Sequence, residues 1–246
     1  MKNWIIILSM GILLSSCSQN FLNGELCNGG GNCTGGNGIV ASQNIPDIAN
    51  FQSIRHQTSA TILLTQGTEQ SIRIEGEDNI LEFYDFNVND GVLTVNTRDC
   101  ICTTEEVKIY VTLPVLKSVF LDSTGEIVGQ NTFTNDELDI IVDGPGDVLM
   151  DVVASKINIT NDSSGELRLK GTSEVVDINL LGTGEVYLFG LETQIATIFS
   201  DGPGEVEITV NDRIDVQIES TGDIFYKGNP EVSLQDNGLG DLVKVN

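Results

Sequence analysis

The sequence predicts an all-β fold, a right-handed parallel β-helix-like solenoid of about seven coils of about 19 residues, preceded by a β-strand-rich N-terminal part. Three observations carry this expectation. A Gly followed by an acid and then an aliphatic recurs at Gly125, Gly146, Gly165, Gly184, Gly204, Gly222 and Gly240, with spacings of 21, 19, 19, 20, 18 and 18 residues. Short apolar runs elsewhere are separated by turn signals, and no stretch holds a 3.6-residue period with caps, so helix should be minimal. The 246 residues include 26 Gly and only 6% aromatics, while 40% are hydrophobic, enough to bury a core.

At the N-terminus, Lys2 precedes an apolar stretch from Trp4 to Leu14 that is too short to span a bilayer as a mature helix and reads as an export signal. Leu14-Ser15-Ser16-Cys17 resembles the lipobox of bacterial lipoproteins, which implies cleavage after residue 16, acylation of Cys17 and a membrane partner through that lipid anchor. Ser18 stands where an Asp would signal retention in the inner membrane, which leaves the outer membrane, at the cell surface or on its periplasmic face. Residues 17–44 are rich in Gly and Asn and lack apolar periodicity, as expected of a tether.

The tether contains Cys27 and Cys33, and the body contains Cys100 and Cys102. An even number of cysteines in an oxidising compartment points to disulfides, with three pairings open. Cys-x-Cys closes a strained small ring, so bridges from the tether to the 100–102 loop are the favoured pattern. Zinc is disfavoured, because neither spacing is usual for its ligands and no His lies near.

Within the body, residues 45–118 hold strand patterns at Ser59–Thr65, Gln70–Glu75, Ile80–Val88, Gly91–Thr97, Glu106–Leu113 and Lys117–Leu121. Gln66-Gly67, Glu77-Asp78-Asn79, Asn89-Asp90-Gly91 and Pro114 punctuate them. Residues 119–246 carry the repeats. Ile127, Val148, Leu167, Val186, Val206, Ile224 and Leu242 lie two residues after each Gly and should stack inward in one column. A second strand falls in each period, as in Leu138–Val142, Ile157–Thr160, Val176–Leu180, Ile195–Phe199 and Ile214–Ile218.

The body resembles the auto-transporter adhesin head domain, also called the GIN domain. The matching elements include Phe51-Gln52-Ser53-Ile54, Leu64-Thr65-Gln66-Gly67, Ser71-Ile72-Arg73-Ile74-Glu75-Gly76, Asp90-Gly91-Val92-Leu93, Leu113-Pro114-Val115-Leu116 and the run from Gly222 to Pro230. The resemblance spans residues 45–246 and implies a β-helix-like domain on an exported, often lipid-anchored protein, with no established activity. The four cysteines are not part of its pattern.

With 36 acidic against 12 basic residues the formal net charge is −24, which excludes nucleic acid as a partner. Removal of residues 1–16 takes away one further base. Glu126, Asp147, Glu166, Glu185, Glu205, Asp223 and Asp241 follow the seven glycines and should form a row ~4.8 Å apart. Such a row invites a divalent cation such as Ca²⁺, or consists of solvated turns whose carboxylates accept local backbone N–H bonds. The interchange of Asp and Glu favours the turns. Tyr187, Phe189 and Phe225 should point outward as contacts for a glycan or protein ligand, or be buried against a loop or a second copy of the chain in a homodimer. His56, the single histidine, is expected to be structural or exposed. The expectation is a non-enzymatic surface protein with an adhesive or structural role. The runner-up is a carbohydrate-active β-helix enzyme, a lyase or hydrolase using carboxylates from neighbouring coils.

Overall fold

Alternation of β-branched and polar residues, broken by Gly at near-constant intervals, makes each segment too short to bury its own apolar side; stacking on a neighbour is the remaining solution. A computed structural model describes residues 33–246 in this arrangement; Cys17, Cys27 and the export signal lie outside the described residues. The N-terminal part holds β1 (Thr34–Gly35), β2 (Val40–Asn44), β3 (Ser53–His56), β4 (Thr61–Gln66), β5 (Ser71–Glu77), a helical turn α1 (Asp78–Leu81), β6 (Tyr84–Asn89), β7 (Val92–Thr97), β8 (Ile101–Cys102) and β9 (Lys108–Leu113). The solenoid continues with β10 (Ser118–Leu121), β11 (Glu126–Gly129), β12 (Phe133–Val142), β13 (Val148–Asn161), β14 (Leu167–Leu180), β15 (Val186–Ser200), β16 (Val206–Ile218), β17 (Ile224–Lys227), β18 (Glu231–Asp236) and β19 (Leu242–Lys244).

Every pairing from β10 to β19 is parallel. The aliphatics after the Gly-acid pairs are in register, Ile127 beside Val148, then Leu167, Val186, Val206, Ile224 and Leu242. All are buried except Leu242, which is half-buried on the last coil. The two strands expected in each period stay apart as β11 and β12 after Gly125 but are joined into one long bent strand from β13 to β16, because inward-facing residues continue across the bend with one shift of parity, as in Val152, Ala154 and Ile157. The 20-residue interval between Gly184 and Gly204 is absorbed by register shifts in β15, an extra-residue irregularity of the bulge kind.

The glycines are required by distance. A Cβ added at Gly146, Gly165, Gly184, Gly204, Gly222 or Gly240 would lie 1.9–2.2 Å from the carbonyl oxygen of the equivalent Gly one coil earlier. Backbone crosses backbone at this corner, and no side chain fits between.

The N-terminal strands join the same stack. β3 and β4 lie parallel to β10 and β11 on one side and to β7 and β9 on the other, so stacking order departs from chain order. Antiparallel β5 and β6 then close this end, with β2 antiparallel to β5 outside them. Two sequence expectations change here. Ile80 and Leu81, read as the start of a strand, sit in the turn α1 with both side chains buried, and the strand begins at Tyr84. Ordered strands also reach into the stretch read as a tether: β1 pairs with β8 and β2 with β5, held by backbone ladders rather than by buried apolar residues.

Cys33 and Cys102 form a disulfide, and Cys100 is disulfide-bonded as well. Beside them Glu77, fully buried, accepts hydrogen bonds from the Gly38 N–H (2.7 Å), the Thr104 N–H (3.0 Å) and the Thr104 hydroxyl (2.8 Å). Burial pushes this carboxyl up, but the backbone donors of Gly38 and Thr104 outweigh it and hold the group below the usual carboxylate range.

Candidate functional site

In a parallel stack, the residue three after each repeat Gly faces outward one place beyond the acid. The ladder puts Tyr110, Leu63, Val128, Leu149, Arg168, Tyr187, Glu207, Phe225 and Val243 in one unbroken column, one residue per coil. Each is half-buried by its neighbours, so the column is a flat, largely apolar stripe along the solenoid. Cations lie across its rings: Arg73 sits 3.7 Å from the Tyr110 centroid and Arg168 4.3 Å from that of Tyr187. Lys227 is 4.2 Å from the Phe189 ring, on the irregular segment of β15 beside the stripe.

Of the three aromatics singled out from sequence, Tyr187 and Phe225 share the column but lie two coils apart with Glu207 between them, while Phe189 flanks it. The Tyr187 hydroxyl donates to the Glu185 carboxylate, and that bond, with burial second, pushes the phenol up to about 12. Val128, Leu149, Arg168 and Tyr110 were missed as site residues. The signal for the first three was present, since each stands three residues after a repeat Gly; Tyr110 joins through an N-terminal strand with no repeat to announce it.

Along one edge of the stripe run the seven acids, in register through the ladder bonds that link Ile127 N–H to Asp147 C=O and onward to Ile224 N–H and Asp241 C=O. Several are engaged locally. Asp147 accepts from the Glu166 N–H (2.9 Å), Asp223 accepts from the Asp241 N–H (2.8 Å), and Glu166 accepts from Arg168. Among the described residues no three His, Cys, Asp or Glu side chains converge on a point that could hold a metal ion. A second, mostly acidic column escaped the sequence reading: Asp122, Asp143, Asp162, Asp201 and Glu219 open the turns and align through the same kind of ladder, with Leu181 interrupting the row between Asp162 and Asp201. The two columns flank the glycine corner and localise much of the charge excess there.

Polar residues also enter the core at this corner. His56, Leu121, Val142, Asn161, Leu180, Ser200 and Ile218 form one inward column. Asn161 Nδ2 donates to the Gly165 carbonyl at 2.9 Å, and His56 Nε2 lies 2.7 Å from the Ala60 carbonyl, in each case four residues on. His56 is therefore structural, a turn clamp. Burial lowers its pKa to about 4, against the opposing bond to Ala60.

Comparison with known proteins places this geometry. Residues 50–230 match the family described as "Putative auto-transporter adhesin, head GIN domain", and the chain belongs to that family. No curated protein matches it. Among solved structures, a putative adhesin from Bacteroides fragilis NCTC 9343 superposes with a TM-score of 0.79 at 25% identity, covering 86% of this chain and 99% of that one. A protein described as a putative lipid binding protein, from Parabacteroides distasonis ATCC 8503, gives 0.71 at 19% identity over 87% and 100% of the two chains. A putative adhesin from Parabacteroides merdae ATCC 43184 gives 0.64 at 20% identity over 88% and 100%. The last two share the fold.

Proposed function

We propose that this protein is an outer-membrane lipoprotein whose solenoid binds protein or glycan through the flat stripe, in an adhesive or surface-structural role and without catalysis. The half-buried column from Tyr110 to Val243 carries the reading, because rings and aliphatics kept at a sheet surface are suited to contact with a partner. The family and the similar structures described as adhesins support it. Cys17 would carry the lipid. Residues 33–44 dock at the closed end of the stack, so an anchor there would turn the other end, β18 and β19, away from the membrane. Nine stacked strands from β9 to β19 at ~4.8 Å spacing span roughly 40 Å.

Two measurements test this. Protease added to intact cells bearing the full chain is expected to remove it; protection until lysis would sink surface display. Beads carrying the full chain are expected to be retained on immobilised mucin, and Phe225→Asp on the stripe to cut retention at least fivefold. Unchanged retention by that variant would exclude the stripe as the contact. Absence of catalysis is checked on a polysaccharide panel, where turnover lost in Asp147→Ala and Asp223→Ala would instead establish an enzyme.

A further inference from the structure

The solenoid is fastened at one end and open at the other. β18 pairs with β16 and β19 with β17, and among the described residues no strand adds to the outer side of either. The last coil therefore has inward positions that nothing covers. Val232 and Leu234 stand beside Ile214 and Val216, which are 0% and 4% exposed, yet they are themselves 42% and 46% exposed. The backbone is open at the same two residues. The Asn237 N–H donates back to the Ile218 carbonyl, and peptide groups alternate sides along a parallel strand, so Val232 and Leu234 aim their N–H and C=O groups away from β16. An apolar pair whose ladder groups face outward is an edge suited to one more strand.

We propose that this edge receives β18 of a second copy of the chain in antiparallel pairing, which joins two solenoids end to end about a two-fold axis. Ladder parity restricts the register, since the outward-bonding Val232 and Leu234 must meet outward-bonding residues. Centred on Ser233, the pairing sets Val232 against Leu234 of the second copy, Glu231 against Gln235 and Ser233 against itself. Apolar meets apolar, and no like charges face each other. A slip of two residues would instead set Asp236 against Val232. An axis through Ser233 and normal to the sheet keeps both inward faces inward, so the apolar column of one solenoid runs on into the other. Asp236 and Lys244 hold the inward positions beside Ile218 and Tyr226 in this coil, which confines the apolar contact to the middle of β18. The opposite end is built differently, from antiparallel β5, β6 and β2 with the Cys33–Cys102 bridge, so like edges pair and the assembly stops at two.

The consequence for adhesion rests on the reading of Cys17 as the lipid anchor at the closed end. The two anchors then lie at opposite ends of a rod of about 80 Å, and the pair bridges two membranes. A small contact between two strongly acidic chains is weak singly and holds through many copies on each surface.

The full chain in detergent is measured by analytical ultracentrifugation at low and physiological salt. A monomer–dimer equilibrium is expected, tighter at the higher salt because screening relieves the repulsion between acidic chains. Leu234→Glu should weaken it at least tenfold with an unchanged circular dichroism spectrum, since the side chain is exposed. Ser233→Cys should give a covalent dimer on mild oxidation and Gln235→Cys should give none, because Ser233 alone faces its own copy. A monomer at every concentration, association that Leu234→Glu leaves unchanged, species larger than a dimer, or equal cross-linking at 233 and 235 overturns the proposal. Vesicles carrying the lipidated full chain test the anchor separately: they are expected to cluster, and Leu234→Glu to keep them apart. Vesicles of the wild-type chain that stay apart while the 233 cross-link still forms in detergent would remove the bridging arrangement and leave the paired edges standing.

Discussion

Residues 118–246 and residues 33–113 contribute strands to one stack, yet they are held by different means. In the first, each coil repeats its predecessor: a parallel ladder, an inward aliphatic, a Gly whose backbone touches the Gly above. In the second, strands reverse direction, stacking order departs from chain order, and closure depends on unique contacts, namely the Cys33–Cys102 bridge and the buried Glu77 with its three donors. A repeat can use the same short-range solution many times. An end has one neighbour only and needs fastenings that the repeat does not supply.

The sharpest break of this contrast is a methyl group. Gly204→Ala sets a Cβ 2.0 Å from the Gly184 carbonyl oxygen, whereas Gly35 in the N-terminal part has nothing within 4 Å. Gly204→Ala is expected to cost more than ~4 kcal/mol and to abolish cooperative unfolding, while Gly35→Ala stays within ~0.5 kcal/mol. Denaturant unfolding monitored by circular dichroism measures both. Equal effects would mean the coils can part to admit a side chain.

Next in size is the bridge. Cys33 and Cys102 are separated by 69 residues, so opening the disulfide is expected to remove roughly 2–4 kcal/mol. The loss should fall on the closed end. Hydrogen exchange of Cys33→Ser with Cys102→Ser should speed in residues 33–44 and 100–105 and leave β13 to β15 protected. Uniform acceleration would show that the two regions unfold as one.

The third prediction uses a position the regions share. His56 and Asn161 occupy one inward column and clamp the same kind of turn. His56 falls from the ordinary 6.5 to about 4 on folding, so between those values the unfolded chain binds more protons. Its contribution to stability is complete above pH 6.5 and declines as pH drops through 4, by about 3 kcal/mol in all. His56→Asn is expected to flatten the stability curve over that window and to change little at pH 8. A curve as steep as that of the wild type would assign the acid sensitivity to carboxylates.

The solenoid was legible because its requirements recur: the spacing of Gly, acid and aliphatic states which residue is buried, which is outside and where the chain turns. The stripe was half legible. Tyr187 and Phe225 drew notice as aromatics, while Val128, Leu149 and Arg168 held the same repeat position without it. The ends were opaque, since Glu77 meets Gly38 across 39 residues and no period links them.

What the sequence alone determined is therefore the unit of the fold, its period and its inward column, because stacked strands impose the same steric and hydrophobic demands on each coil. Only the tertiary structure decided how the stack is closed and that β3 and β4 lie between β10–β11 and β7–β9. Those features come from contacts between segments far apart in the chain, where each pairing occurs once and leaves no pattern to read.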